Sequence, residues 1–420
     1  MRWTTAGERC CLAILLGWLV WIPLPFGSNV EGARPALITI PLLLCASAAL
    51  LRMAGSRGRI ERPRAWRIWT GGAVLLIAVA VLQLVPLPPS LLNVISPDSA
   101  AIWNRATRLA AIAGVPATSA HPISIDPSAT ALELMRLVAL FAVFQTSAML
   151  VRSHPRRFLL AIVLCATAIF EVLYGAHEAA LGRYAIWGWT NTLIFNRVTG
   201  TFVNPNHFAH YAAIILPLAL FLAALAWHHV TAPDTPFGRR FVRMVERHFL
   251  LFSFGKIAAV ACVAAILVAQ SRGGLLSMSA GVMIAGAFAS GRRPVRLLLA
   301  GGALAVVILS LILFLGTKRT VARFIPNDFE QKTLVGRRIG IDAATRLWQR
   351  FPVAGTGLGT FERVVSMEQT LDVEKMYHHA HNDYAELAAT GGTLGFLVVI
   401  VSLIGGYAAL VRTTFTNAAS

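Results

Sequence analysis

Near the end of the chain, His378-His379-Ala380-His381-Asn382-Asp383-Tyr384-Ala385-Glu386 sets imidazoles, an amide, a phenol and carboxylates at the mouth of an apolar run. Histidine ordinarily titrates close to neutral pH, so the chemistry this stretch suggests is proton removal by a general base, with His381 as the candidate. Zinc is not expected: the histidines are not spaced as a helical pair one turn apart and no cysteine lies beside them. Gly391-Gly392-Thr393-Leu394-Gly395-Phe396 follows and predicts a place where the backbone passes close to something. Polar groups at this density beside a membrane span are costly unless they are used.

A second set of groups is cationic. Arg197 lies in Asn196-Arg197-Val198-Thr199-Gly200-Thr201-Phe202-Val203-Asn204-Pro205-Asn206-His207, and Arg272 lies in Gln270-Ser271-Arg272-Gly273-Gly274 between two apolar runs. A guanidinium binds two oxygens at once and does not lose its charge, which suits a phosphate or pyrophosphate. The expectation is that Arg197 and Arg272 hold a lipid-linked pyrophosphate, with Gly273 and Gly274 letting it approach backbone N–H groups. Arg337 is expected to help bind donor or acceptor, or to face lipid headgroups. Of His207 and His210, one is read as a ligand contact and the other as a packing residue, with packing favoured for His210. With His381, these arginines are expected to share one pocket that opens away from the cytoplasm.

The elements that must position these groups are membrane helices. Hydrophobic residues make up 56% of the 420 and charged residues 13%, against about a quarter charged in soluble domains, and mean hydropathy is +0.66. This is the composition of an integral membrane protein. The +18 formal charge sits in short clusters between apolar runs, a topology signal rather than a nucleic-acid surface. Cys10, Cys11, Cys45, Cys165 and Cys262 fall in or beside apolar runs and read as small buried hydrophobes, with no disulfide or zinc pattern. The first apolar run reads as a retained span rather than a cleaved signal.

Runs long enough to cross a bilayer are expected at 10–26, 36–53, 70–87, 130–151, 157–180, 207–227, 249–269, 273–290, 295–316 and 392–412. Allowing for split or re-entrant helices, about 10 to 12 helices are expected in an all-α polytopic bundle. Arginine-rich segments near residues 52–67, 152–157, 239–247 and 292–296 mark the cytoplasmic loops. That leaves 88–129, 181–206, the turn at Ser271-Arg272, and 317–391 on the far side, where Trp187 and Trp189 read as interfacial anchors.

The organisation expected is a bundle over 1–316, a large outer loop over 317–391 carrying the catalytic residues, and a final span and tail over 392–420. Within that loop, Gly336 to Arg350 predicts an amphipathic helix on the membrane face, with Ile341, Ala344, Leu347 and Trp348 at helical spacing. Gly355-Thr356-Gly357-Leu358-Gly359 predicts a turn after it. A transporter also places polar groups between spans, but it usually shows internally repeated halves, and none is visible. A membrane scaffold gives no reason for outward arginines.

The sequence resembles the O-antigen ligase family (WaaL), within the wider group of O-antigen polymerases (Wzy) and pilin-type oligosaccharyltransferases. His381-Asn382, nine intervening residues, then Gly392 and Gly395 repeat the family's histidine and Gly-x-x-Gly spacing, although Phe396-Leu397 replaces the usual Thr-Gly. Gly200-Thr201-Phe202-Val203-Asn204-Pro205-Asn206-His207 is similar to the group's Asn-x-Asn-His segment. Ser271-Arg272-Gly273-Gly274, and Gly336-Arg337 leading to the glycine turn, resemble its outer helix, with Ile341 where a tryptophan is common. The resemblance covers roughly residues 170–412. It implies a GT-C-type glycosyltransferase of the bacterial inner membrane with a periplasmic active site. Its donor would be an undecaprenyl-pyrophosphate-linked glycan, its acceptor a sugar of lipid A core, and it would need no metal or nucleotide. It implies His381 as base and Arg197, Arg272, Arg337, Asn204, Asn206, His207, Asn382 and Tyr384 as substrate-binding residues.

Overall fold

Apolar runs without water have to satisfy every backbone N–H and C=O internally, and the helix is the element that does so within one segment. The computed structural model describes residues 2–54, 62–116, 118–190, 197–228, 249–289, 328–368 and 378–417. Its long helices are α1 (Arg2–Trp21), α2 (Arg34–Ala54), α3 (Arg64–Leu84), α6 (Pro127–Leu150), α7 (His154–Ala180), α8 (Pro205–His228), α9 (Phe249–Val268), α10 (Arg272–Ala289), α11 (Asp328–Arg350) and α13 (Asp383–Asn417). Short α4 (Pro89–Ile95), α5 (Pro97–Ile112) and α12 (Phe361–Val364) complete them, with a two-stranded hairpin, β1 (Ala185–Ile186) and β2 (Trp189–Thr190). Among the described residues, seven helices are long and apolar enough to cross a membrane. The protein is therefore an all-α polytopic membrane protein, as its composition requires. The span expected at 295–316 lies outside the described residues.

The outer segment 88–129 carries two helices, since Pro89 and Pro97 open α4 and α5, proline being suited to a first helical turn whose N–H groups have no intrahelical partner. The span expected at 392–412 lies within α13, to which a preceding stretch from Asp383 is joined across a break at Gly392; Asn382 caps that stretch, its Oδ1 accepting the N–H groups of Tyr384 and Ala385, both at 3.1 Å. Cys11, Cys165 and Cys262 are buried as expected, but Cys10 is exposed on α1.

Two compact units emerge, each discontinuous in sequence: residues 1–57 with 144–325, and residues 58–143 with 326–420. The core of the first is built by α7, α8, α9 and α10 around Cys165, Phe208, Ala212, Ala219, Ala258, Cys262 and Met278. Small residues dominate because helices in lipid gain most from close backbone approach.

In the second unit α13 runs against α3 and α11. The buried stripe of α11 is Gly340, Ala343, Ala344 and Leu347, one face at helical spacing. It packs on Phe351, Phe361, Val364, Val365, Ala380 and Ala389. The amphipathic helix thus turns its apolar face onto the chain itself. Trp348 stays partly exposed, with its indole N–H donating to Thr393 Oγ1 at 3.1 Å.

Candidate functional site

The histidine stretch belongs to the second unit, and it rests on a broken helix. α13 is interrupted at Gly392, whose φ of 64° and ψ of −172° are not helical. The backbone groups freed by the break are taken up by the turn after α11. Thr393 N–H and Leu394 N–H donate to Pro352 and Val353 carbonyls at 2.8 and 3.2 Å, while Thr356 and Gly357 N–H donate to Ala389 and Thr390 carbonyls at 3.0 Å each. Gly355 (φ 70°) and Gly392 lie so close that a Cβ on either would strike the other's backbone neighbourhood. The close approach predicted from the glycines is therefore met by the chain itself.

Buried Gln83 on α3 locks this junction. Its side-chain amide donates to the Ala354 and Thr390 carbonyls at 2.6 and 2.9 Å, and its carbonyl accepts Leu358 N–H at 2.9 Å. Full use of a buried amide in this way fixes one geometry, because leaving any of these groups unpaired would be costly.

Above that platform the imidazoles are exposed and each is handled differently. His378 Nδ1 lies 2.6 Å from Glu362 Oε1, and His379 Nδ1 lies 3.2 Å from Glu386 Oε1. The other carboxylate oxygen of Glu386 accepts Ala380 N–H at 3.0 Å. Ala380 is fully buried against Gly340, where a side chain on α11 would crowd its carbonyl. His381 follows with φ 54°, the left-handed region that a non-glycine residue enters only at a cost.

Charge separates the two rings further. The hydrogen bond that His379 donates to Glu386 raises the His379 pKa above its usual 6.5, against burial and with help from that carboxylate's charge. Burial, then the charges of Arg337 and His379, lowers that of His381, against a smaller opposing pull from Glu386. His381 is thus shifted toward its neutral form, while it keeps solvent access. A neutral, accessible imidazole can accept a proton; a pair whose environments pull in opposite directions is a recurrent arrangement for acid–base work. Tyr384 is exposed on the first turn of α13. Among the described residues no cluster of histidine, cysteine and carboxylate groups could hold a metal ion.

The arginine stretch belongs to the first unit. Asn204 precedes α8, accepting Asn206 N–H on Oδ1 at 2.9 Å and the His207 and Phe208 N–H groups on its carbonyl. Arg197 Nε donates to the Ala269 carbonyl at 2.8 Å, and Nη2 donates to the Ala269 and Gln270 carbonyls at 2.5 and 3.2 Å and to Asn206 Oδ1 at 3.4 Å. Carbonyls at a helix C-terminus carry partial negative charge and lack intrahelical donors, so a guanidinium there is well placed.

Arg197 thereby holds the turn between α9 and α10, where Gln270 has φ 51° and Ser271 Oγ accepts Gly274 N–H at 3.1 Å. Arg272 is the first residue of α10. The glycines after it are occupied by α8: a Cβ on Gly273 would lie 3.1 Å from His210 Nε2, and one on Gly274 would lie 2.7 Å from Ala209 Cβ. The His210 ring thus lies beside Gly273, and both His207 and His210 are exposed on the first turns of α8.

Sequence reasoning passed over Gln83, Glu171 and Glu362, and it gave Glu386 no role. Glu171, fully buried on α7, accepts Thr201 N–H and faces Thr201 Oγ1, both at 2.8 Å, which fixes the turn beyond Arg197. Gln83 and Glu171 each stand inside an apolar run, and a polar group there is itself the signal. Glu362 and Glu386 are ordinary in sequence; only the fold brings them to the histidines.

Residues 257–400 match the O-antigen ligase family. No curated protein and no solved structure matches the chain.

Proposed function

We propose that this chain, whose residues 257–400 form an O-antigen ligase domain, is an inverting GT-C-type glycosyltransferase acting at the periplasmic face of the bacterial inner membrane. It transfers an undecaprenyl-pyrophosphate-linked glycan to a sugar hydroxyl of lipid A core. The observation that carries the chemistry is His381: a solvent-accessible imidazole held in a strained backbone, with its pKa lowered, within the matched segment.

The acceptor hydroxyl oxygen attacks the anomeric carbon, its proton passes to the His381 ring, and the bond from that carbon to the pyrophosphate oxygen breaks. Displacement from the opposite side inverts the anomeric centre. Lipid pyrophosphate leaves with its charge neutralised by arginine, the task assigned to Arg272 and Arg197, with Arg337 assisting on donor or acceptor. Arg197 also fixes the backbone from which Arg272 projects. Asn206 and His207 are assigned to the donor, with Asn204 ordering them. Tyr384 contacts the glycan, and Asn382 holds the start of α13 on which it stands. No step calls for a nucleotide or a metal.

The test is reconstitution. Purified protein is incubated with lipid-linked glycan and lipid A core in the presence of chelator and without nucleotide. Glycan appearing on lipid A core is the expected result. Elongation of the lipid-linked glycan itself would instead identify a polymerase, the alternative that the Phe396-Leu397 departure leaves open. No transfer of either kind would overturn the proposal.

A further inference from the structure

Among the described residues, six non-glycine positions have positive φ: Phe26, Ser28, Tyr184, Trp187, Gln270 and His381. Gln270 and His381 belong to the stretches already assigned. Of the other four, Trp187 stands in the hairpin that also carries Trp189, Tyr184 directly precedes that hairpin, and Phe26, two residues before Ser28, meets Trp189. Strained backbone persists where the surrounding structure over-determines it, and such positions gather at ligand-binding sites.

The hairpin pairs Ala185 with Thr190 and Ile186 with Trp189, leaving Trp187-Gly188 as its two-residue tip. Both tip residues have positive φ, 51° and 84°, as the tightest hairpin turns require. Asparagine, aspartate or glycine adopts the first of these positions readily, yet here it is a tryptophan. Its backbone N–H donates to Tyr174 Oη at 2.7 Å, and its indole N–H donates to the Leu24 carbonyl at 2.7 Å. The Tyr174 ring lies 4.7 Å from the Trp187 ring, and Phe26 meets Trp189 edge-on at 5.9 Å. Even so, Trp187 and Trp189 remain 51% and 48% exposed.

An interfacial anchor works by pointing its indole N–H at lipid headgroups in a fluid environment, where a fixed ring orientation gains nothing. Here the Trp187 indole N–H is committed inside the protein, and the ring is held at a strained turn. What remains is a rigid, electron-rich surface, the complement of the C–H face of a pyranose ring. The same short loop that receives the indole N–H also receives Thr201 Oγ1, on the Pro23 carbonyl at 2.7 Å. The hairpin is thus tied to the turn that follows Arg197.

We propose that Trp187 and Trp189 form a stacking subsite for a hexopyranose ring, serving the glycan of the lipid-linked donor. The identity of that ligand rests on the glycan-transfer reading; the binding itself can be measured without transfer. The protein is labelled with 5-fluorotryptophan, the ¹⁹F resonances of Trp187 and Trp189 are assigned with W187F and W189F, and maltotriose and chitotriose are titrated into protein held in nanodiscs. Both resonances are expected to shift with at least one saccharide and to be little broadened by headgroup spin-labelled lipid. Trp189→Ala, which removes an exposed ring, should raise the KM for lipid-linked donor about five-fold while leaving kcat unchanged. Trp187→Phe should retain most of the saccharide response. Resonances that ignore both saccharides, or that broaden with spin-labelled lipid while donor KM in W189A stays at the wild-type value, would overturn the subsite. A saccharide shift that survives in a protein without transferase activity would uphold it while removing the transfer reading.

Discussion

The two polar corners of this protein use charge in opposite ways. In the first unit, Arg197 is drawn onto the carbonyls that end α9, and the glycines beside Arg272 are filled by α8. In the second, the histidines are lifted on a lattice of buried hydrogen bonds and left open, each steered by a carboxylate or an arginine. The arginine corner is built like a brace around the turn between α9 and α10; the histidine corner is built like a platform that leaves its imidazole rings exposed. A group that must react keeps solvent access, whereas a group that must hold a charge in place gains from being held itself.

The contrast can be broken at several points. His381→Ala should cost the most, lowering glycan transfer by about 100- to 10,000-fold, with donor binding kept. Loss of donor binding instead would move His381 from proton transfer to substrate contact. Arg272→Ala should do the reverse, weakening donor binding by about 10- to 100-fold through the loss of charge-assisted bonds. An unchanged donor affinity, measured by lipid pyrophosphate competition, would reduce that arginine to a helix-end charge.

Gln83→Leu tests the platform rather than the rings. It leaves the Ala354 and Thr390 carbonyls and Leu358 N–H without their buried partner, at a cost of about 3 kcal/mol. Thermal denaturation in detergent should show the loss, and an unaltered midpoint would mean that the junction is held by the backbone alone.

The smallest effect is a displacement along the pH axis. His381 acts as a base only when neutral, and burial with Arg337 places its pKa below 6.5, so activity should persist into mildly acid conditions before falling. Glu386 pulls that pKa upward, so Glu386→Gln should move the acid limb to lower pH. Arg337 pushes it downward, so Arg337→Gln should move the limb to higher pH. If neither limb moves, the titrating base is a different group.

Much of this was legible before any coordinates. Density of apolar residues fixed the class, and the helices of the described residues fall close to the runs counted along the chain. Less legible was the role of Gly392: its neighbours predict a close approach, but the approaching partner is Gly355 on the turn, roughly forty positions earlier in the chain. Glu386 was visible as a carboxylate and silent about its purpose, because nothing in its spacing says that it will turn back to hold Ala380 and His379.

Composition and periodicity by themselves determined that this chain lives in a membrane as helices, since lipid leaves the backbone few alternatives, and they brought its histidines and arginines to notice through the cost of placing polar groups there. Only the tertiary structure decided which of those groups are spent on the fold and which stay open. Hydrogen-bond partners such as Gln83 and the glycine turn come from distant parts of the chain, and sequence order carries no record of who will meet them.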